Sequence, residues 1–153
     1  MTIETPFGPL HAAFNATGAI TQLKFGPATQ NGNGSSPVNH AVAQQLVEYF
    51  TGKRTSFDLP LSPHGTEFQK LVWAELTRIP FGETISYAEL ARRVARPGAA
   101  RAVGRANATN PIALVVPCHR VIGADGSLTG YAYGVELKRN LLEFERTRKP
   151  VAD

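Results

Sequence analysis

The sequence predicts an α+β protein: a small α/β domain with antiparallel strands at residues 1–62, then a mainly helical, winged-helix-like domain with a helix-turn-helix at residues 63–153. Three observations support this prediction. Two strand-like runs flank a turn near the N-terminus, and two capping-box patterns begin helices in the second half. Between them, near residue 62, a segment with two prolines and a glycine coincides with a change in charge balance.

The first domain begins with a predicted β-hairpin. Residues 9–25 contain two strand-like runs separated by an Asn-Ala-Thr-Gly turn. A stretch rich in glycine, asparagine, serine and proline follows, so we expect a flexible loop at about residues 27–37. Ser36 supplies an N-cap, and apolar side chains at helical spacing predict a helix that ends before Gly52.

The second domain opens with a helix that carries its own start signal. Thr66 and Gln69 match the capping box. Helical spacing places Trp73 off the buried face of this helix. The predicted buried face consists of Phe68, Leu71, Val72, Leu76 and Ile79.

Two further helices form the predicted helix-turn-helix. Ser86 and Glu89 form a second capping-box pattern, which begins the next helix. After a turn of three or four residues around 96–98, residues 99–106 have the composition of a helix despite an internal glycine. In a helix-turn-helix, this last helix is the one that reads DNA.

This last helix offers almost no side chains that read base edges. Two interpretations stay open on the pattern alone. The helix enters the minor groove with its backbone close to DNA and Arg101 directed at the base stack, or its small residues pack against another helix. The small residues are Ala99, Ala100, Ala102, Gly104 and Ala106.

The positive charge is concentrated in the second domain. The net charge is +4, and the first 62 residues carry equal numbers of acidic and basic groups. No acidic residue lies between Glu89 and Asp125, which favours phosphate binding over the alternative of a solvated helix face. The arginines in this interval are Arg92, Arg93, Arg96, Arg101, Arg105 and Arg120.

Cys118 is the single cysteine, so no internal disulfide can form. The four histidines include no close pair with zinc-ligand spacing, and no metal site is expected. Cys118 is either a small apolar filler or a nucleophile. Residues 112–116 read as a buried strand or extended segment leading to it, and in an extended chain His119 would act on the thiol through a turn or a bridging water.

The last helix suggests a partner for this histidine. Glu145 follows Leu137 and Leu141 at spacings of four, so it is predicted to point inward. A buried carboxylate needs a partner, and Glu145 can orient His119, which then takes the proton of Cys118. The alternative is that Glu145 lies at a frayed, exposed helix end.

Several classes of protein do not fit the composition. Hydrophobic residues make up 42 % and charged residues 18 % of the chain, which is typical of a globular protein. The longest strongly apolar run is far below the roughly 18 residues of a spanning helix, and no basic segment precedes an apolar stretch at the start. We therefore expect neither secretion nor membrane insertion, and a cytoplasmic location.

Three motifs in the second domain resemble one family closely. They are Arg-Ala-Val-Gly-Arg-Ala-Asn at 101–107, Asn-Pro at 110–111 and Pro-Cys-His-Arg-Val at 117–121. They are similar to the O6-alkylguanine-DNA alkyltransferases, also called methylated-DNA–protein-cysteine methyltransferases. The resemblance is highly specific and runs through the whole second half, whereas the first half matches in general layout. Some members bind zinc in the first domain, but a thiolate zinc site is excluded here because Cys118 is the only cysteine.

The resemblance implies roles for the following residues. Cys118 is the alkyl acceptor, and His119, Glu145 and a water deprotonate it. Asn110 is the hinge between the recognition helix and the active site, and Tyr87 helps to rotate the nucleotide and donates a proton to the base. The DNA-binding residues are Tyr87, Arg92, Arg93, Ala100, Arg101, Ala102, Gly104 and Arg105, with Arg101 filling the space that the flipped guanine leaves. The substrate pocket comprises Asn107, Val121, Tyr131, Ala132 and Tyr133.

The implied function is direct-reversal DNA repair. The protein would flip the damaged nucleotide and move its alkyl group irreversibly from O6 of guanine, and from O4 of thymine, to Cys118, in one turnover without a cofactor. The expected partner is double-stranded DNA containing O6-alkylguanine, bound by a monomer that can be cooperative on DNA. Position 133 is tyrosine where many members carry glycine, which bears on the tolerance of bulky alkyl groups. The alternatives are a non-repairing module that binds alkylated DNA and a cysteine hydrolase.

Overall fold

The structure is a computed structural model that describes residues 1–26, 37–128 and 130–148. It divides into two compact units. The first comprises Met1–His64 together with Pro111–Val115, and the second comprises Gly65–Asn110 together with the described residues from Val116 onward. The loop predicted at 27–37 and the N-cap predicted at Ser36 lie outside the described residues, except for Pro37.

The first unit contains a three-stranded antiparallel sheet. The strands are β1 (Thr2–Ile3), β2 (Leu10–Phe14) and β3 (Ile20–Phe25), in that order across the sheet. The predicted hairpin joins β2 and β3, and the Asn15 side chain accepts hydrogen bonds from the backbone of Thr17 and Ala19 in its turn. This hairpin and the α+β class are confirmed.

Helix α1 (Pro37–Phe50) completes the core of the first unit. The buried side chains come from β2, β3 and α1, and they include Leu10, Ile20, Leu23, Val42, Leu46 and Tyr49. Burial of this apolar surface, at roughly 25 cal/mol per Å², is the main stabilising contribution to the unit.

The apolar segment at 112–116 is not a strand. Leu23 donates its backbone N–H to Pro111 O at 2.8 Å, and Ala113 donates back to Leu23 O at 2.8 Å. The chain then turns, with Leu114 at a φ of 69°. These bonds attach Pro111–Val115 to the sheet of the first unit, whereas the sequence placed the segment in the second domain. The reason is a tertiary pairing with β3 that the local pattern does not contain.

The second unit is mainly helical. Its helices are α2 (Glu67–Leu76), α3 (Tyr87–Arg93), α4 (Ala100–Ala108) and α5 (Val135–Arg148). The short strands β4 (Ile85–Ser86) and β5 (Val121–Ile122) pair in parallel. The helix-turn-helix consists of α3 and α4, and the connection at residues 94–99 is longer than the predicted three- or four-residue turn.

Helix α2 begins as predicted, and Val72, Leu76 and Ile79 of the predicted face are buried, but two side chains near them differ from the prediction. The Thr66 side chain accepts from Gln69 N, and the Gln69 side chain accepts from Thr66 N, which is the reciprocal capping box. Leu71, predicted to be buried, is 44 % exposed, whereas Trp73 is 3 % exposed. The Trp73 indole N–H donates to Ala106 O on α4 at 2.8 Å, so a specific partner draws this side chain inside.

Candidate active site

Cys118 lies in a short 3-10 helix, Cys118–Arg120. The turn is closed by Arg120 N donating to Pro117 O at 3.0 Å, and Cys118 N donates to Val116 O at 2.8 Å. The sequence suggested an extended backbone here, with successive side chains on opposite faces. The turn replaces that geometry, and Cys118, His119 and Arg120 are all buried.

Glu145 connects two residues of this turn. Its Oε2 lies 2.8 Å from His119 Nε2, and Arg120 donates to it twice, from Nε to Oε1 at 2.8 Å and from Nη2 to Oε2 at 2.9 Å. Arg120 Nη1 also donates to Ile79 O. Glu145 is fully buried, so the predicted inward orientation is confirmed and the exposed helix end is excluded.

The charges of this group fix the role of each histidine nitrogen. Burial alone would raise the pKa of Glu145, but His119 and Arg120 outweigh it and hold the pKa well below its usual range. Burial lowers the pKa of His119, against the opposing effect of Glu145. Neutral His119 therefore donates Nε2–H to the ionised Glu145, and its Nδ1 carries the lone pair. Nδ1 is buried and has no hydrogen-bond partner among the residues that the structure describes.

The surroundings of Cys118 favour the protonated thiol over the thiolate. Burial raises its pKa, and a hydrogen bond from the Asn110 side chain and the charge of Lys138 act in the opposite direction. Deprotonation therefore needs a base. A neutral histidine with a free lone pair on Nδ1 is the base that this site offers.

Lys138 is a residue of this site that the sequence analysis missed. It is fully buried, and its ammonium lies 5.8 Å from the centre of the Tyr87 ring. The sequence did contain a signal for it. Lys138, Leu141 and Glu145 follow the spacing i, i+3, i+7, and these three are buried on α5, whereas the predicted Leu137 is only partly buried.

The end of α4 is bound to the backbone on both sides of the nucleophile. Asn110 Nδ2 donates to Val116 O at 2.8 Å, and Asn107 Nδ2 donates to Cys118 O at 3.2 Å. Both asparagines are buried. Asn107 was predicted as part of the substrate pocket, and that role stays a prediction.

A pocket of about 450 Å³ lies along α3 and α4. The side of α4 that faces this pocket carries small residues. A Cβ added at Gly104 would lie 3.7 Å from the Tyr87 ring. The pocket brings together five of the predicted DNA-binding residues. Its lining consists of Tyr87, Ala100, Arg101, Gly104, Arg105, Ala108 and Gly130.

The predicted substrate loop places two aromatic rings together. The rings of Tyr131 and Tyr133 meet edge to face, with centroids 5.4 Å apart. Burial, with a smaller effect of a negative charge on Cys118, raises the pKa of Tyr133 to about 12. Tyr133 therefore stays protonated at neutral pH and lies within electrostatic range of the nucleophile. Ala132 is exposed, and Val121 is buried.

The predicted arginine surface is smaller than the sequence suggested. Glu89 accepts from Arg92 at 2.6 Å and from Arg93 at 2.9 Å, and these bonds lower its pKa to about 2. Arg120 is buried against Glu145. The sequence interval without acidic residues begins just after Glu89, so it excluded the carboxylate that binds the first two arginines. Arg101 and Arg105 remain exposed on α4.

The described residues contain neither a cluster of metal ligands nor a membrane-spanning helix. No group of three or more histidine, cysteine, aspartate or glutamate side chains is placed to hold a metal ion in the part of the chain that the structure describes. None of the helices within 1–26, 37–128 and 130–148 has the length and apolar character needed to cross a membrane.

Two family profiles match the chain. Residues 1–63 match the ribonuclease-like domain of 6-O-methylguanine DNA methyltransferase, and residues 67–147 match the DNA binding domain of the same family. Relatives named methylated-DNA–protein-cysteine methyltransferase include one from Mycobacterium bovis, 47 % identical over 97 % of this chain and 93 % of its own. Another, from Methanosarcina barkeri, is 48 % identical over 94 % of both chains.

Solved structures agree with this similarity. Mycobacterium tuberculosis O6-methylguanine methyltransferase superposes with a TM-score of 0.84 at 45 % identity, over 99 % of this chain and 94 % of that one. Mycobacterium tuberculosis OGT in complex with DNA superposes with a TM-score of 0.86 at 48 % identity, over 98 % of this chain and 94 % of the other.

Proposed function

This chain belongs to the 6-O-methylguanine DNA methyltransferase family, and we propose that it repairs DNA by moving an alkyl group from O6 of guanine to its own Cys118. The activity of the family is methyl transfer from methylated DNA to a protein cysteine. The observation that carries the choice of acceptor is the buried group of Cys118, His119 and Glu145, in which a single thiol is combined with a base whose tautomer is fixed.

The chemical step is one displacement. His119 Nδ1 takes the thiol proton through a water, and the Cys118 sulfur attacks the alkyl carbon. The S–C bond forms as the C–O6 bond breaks, and the electron pair of that bond stays with guanine. A proton from the Tyr87 hydroxyl makes guanine a better leaving group. The same exchange applies to an alkyl group on O4 of thymine.

The product explains why the protein would act once. A thioether carries no acidic proton and no good leaving group, so no group of this site can return it to a thiol. The protein is then a reagent consumed in proportion to the damage, and the reaction itself requires no cofactor.

The alkylated base must leave the duplex before it can meet Cys118, because the thiol is buried in the protein and a base stacked in the duplex cannot reach it. Unstacking costs a few kcal/mol. The pocket along α3 and α4 supports this step, because α4 presents small residues where the backbone can approach DNA and Arg101 projects from the same surface. Arg101 would occupy the vacated position and offset part of the cost.

Glu145→Gln is expected to slow alkyl transfer by roughly 10²-fold with DNA affinity nearly unchanged. The neutral amide no longer stabilises the proton that His119 takes from Cys118, so the pKa of the thiol rises. The measurement is the rate of Cys118 alkylation by iodoacetamide against pH, and its midpoint should move to higher pH. An unchanged midpoint would leave Glu145 with a structural role alone.

The same variant has a stability signature. The pKa of Glu145 is lowered by folding, so its ion pairs contribute stability that is present above about pH 4.3 and is lost as pH falls through the folded-state pKa. Removing the carboxylate leaves Arg120 buried without its charge partner, which costs about 3–5 kcal/mol. Urea unfolding should therefore give a lower free energy of unfolding for the variant than for wild type at neutral pH. This difference should disappear in acid. Glu143→Gln is the matched control, because Glu143 lies on the same helix in an exposed ion pair with Arg146.

A further inference from the structure

Two buried asparagines at the C-terminal end of α4 bind the backbone around the nucleophile. Asn107 lies in the last turn of the helix, and Asn110 follows the C-cap residue Thr109. Asn110 donates to Val116 O, and Asn107 donates to Cys118 O. The two bonds therefore hold the carbonyl groups of Val116 and Cys118, which lie on either side of the Pro117–Cys118 peptide bond. The Asn107 bond is made to the nucleophile's own residue.

The turn that carries Asn107 is itself fixed. The adjacent Ala106 accepts the indole N–H of Trp73 from α2 at 2.8 Å, and Val103 and Ala106 are buried in the same helix. A displacement of the last turn of α4 relative to α2 would break this bond. Asn107 therefore connects a firmly held helix to the backbone of Cys118.

The orientation of the Asn107 amide is determined by its partner. A carbonyl oxygen accepts hydrogen bonds only, so the amide nitrogen must face Cys118 O. The Asn107 Oδ1 is then buried with no hydrogen-bond partner among the residues that the structure describes, and Asn107 as a whole is 2 % exposed. A buried acceptor without a partner lowers stability. An apolar side chain of similar size would avoid this loss, so stability alone does not account for an asparagine here.

We infer that Asn107 is a positioning residue for the nucleophile. Its amide donates to the Cys118 carbonyl, which also accepts the backbone N–H of Val121, and it thereby ties the turn that carries the Cys118 side chain to α4. It links the DNA-reading helix to the thiol in parallel with Asn110. This inference rests on the proposed function, because it concerns the approach of the sulfur to an alkyl carbon.

Asn107→Leu tests the inference, since leucine has a similar shape and removes both the donor and the unpartnered acceptor. The single-turnover rate should fall by about 10- to 100-fold, equally for methylated duplex DNA and for free O6-methylguanine, because a misplaced nucleophile affects both reactions. The thermal midpoint should stay the same or rise, because the unpartnered acceptor is removed and Cys118 O keeps the Val121 N–H as a donor. The midpoint of the iodoacetamide pH profile should stay unchanged, because none of the described hydrogen bonds joins Asn107 to His119.

Thr109→Val is the matched control. Thr109 ends the same helix and its hydroxyl bonds only Arg105 O, Ala106 O and the Gln69 side chain among the bonds described, so its loss should leave both rates unchanged. A rate in folded Asn107→Leu within twofold of wild type, or a rate loss confined to duplex DNA, would overturn the inference. If leucine prevents folding, Asn107→Ala must still show the equal rate loss at a temperature where it is folded. Wild-type protein that transfers no methyl group would instead overturn the proposed function, and this inference with it.

Discussion

Cys118→Ala is expected to transfer no alkyl group from DNA, while its affinity for DNA stays within about twofold of wild type. Cys118 is the only thiol of the chain, so no other side chain can take over the displacement. Affinity should persist because Cys118 is buried and does not line the pocket along α3 and α4. Loss of labelled methyl from duplex DNA measures the transfer, and gel shift measures the affinity.

Cys118→Ser provides the second arm of this test. A serine hydroxyl is a far weaker nucleophile than a thiol at neutral pH, so this nearly isosteric variant should be inactive as well. If both variants are inactive but bind DNA normally, Cys118 is needed for the transfer reaction and not for DNA binding. Methyl transfer to Cys118→Ala protein at any measurable rate would show that the acceptor lies elsewhere.

Arg101→Ala should slow repair of duplex DNA by about 10- to 100-fold and leave the reaction with free O6-methylguanine unchanged. The free base needs no flipping, so it does not benefit from a side chain that fills the vacated stack. The quantity to measure is the ratio of the two rate constants. An equal decrease in both would mean that Arg101 supports the fold or the chemistry, and the flipping role would be wrong.

Two comparisons sharpen the Arg101 result. Arg101→Lys should restore only part of the duplex rate, because lysine lacks the planar guanidinium that stacks and hydrogen-bonds together. Arg92→Ala or Arg93→Ala should flatten the salt dependence of DNA binding without affecting the free base. Each change in slope should be smaller than the roughly 0.9 of a full phosphate contact, because Glu89 already binds both side chains.

Local signals predicted the elements whose partners are local. The hairpin follows from a turn that Asn15 closes with its own side chain, and α2 begins at a capping box contained within four residues. The failures have distant partners. Trp73 is buried because of a carbonyl on α4, and the segment at 112–116 turns because it pairs with β3. The pattern of apolar residues within either segment does not predict these contacts.

The candidate site was predictable to a similar extent. The inward position of Glu145 followed from helical spacing on α5, and its predicted pairing with His119 is present at 2.8 Å. Arg120 was counted among the arginines of the interval that favours phosphate binding, because nothing in the sequence indicates that its guanidinium binds the Glu145 carboxylate. Lys138 was missed because a lysine is expected at the surface, even though its spacing from Leu141 and Glu145 placed it on the buried face.

The most direct test of the proposal is the intact mass of the wild-type chain after mixing with an excess of duplex DNA containing O6-methylguanine. We predict the mass of one added methyl group and no more, located by proteolysis on the peptide that contains Cys118, and an equal amount of repaired guanine. Unmodified protein with intact damage would indicate a binding module. Unmodified protein with many methyl groups released per chain would indicate a hydrolase, and either result would contradict self-alkylation.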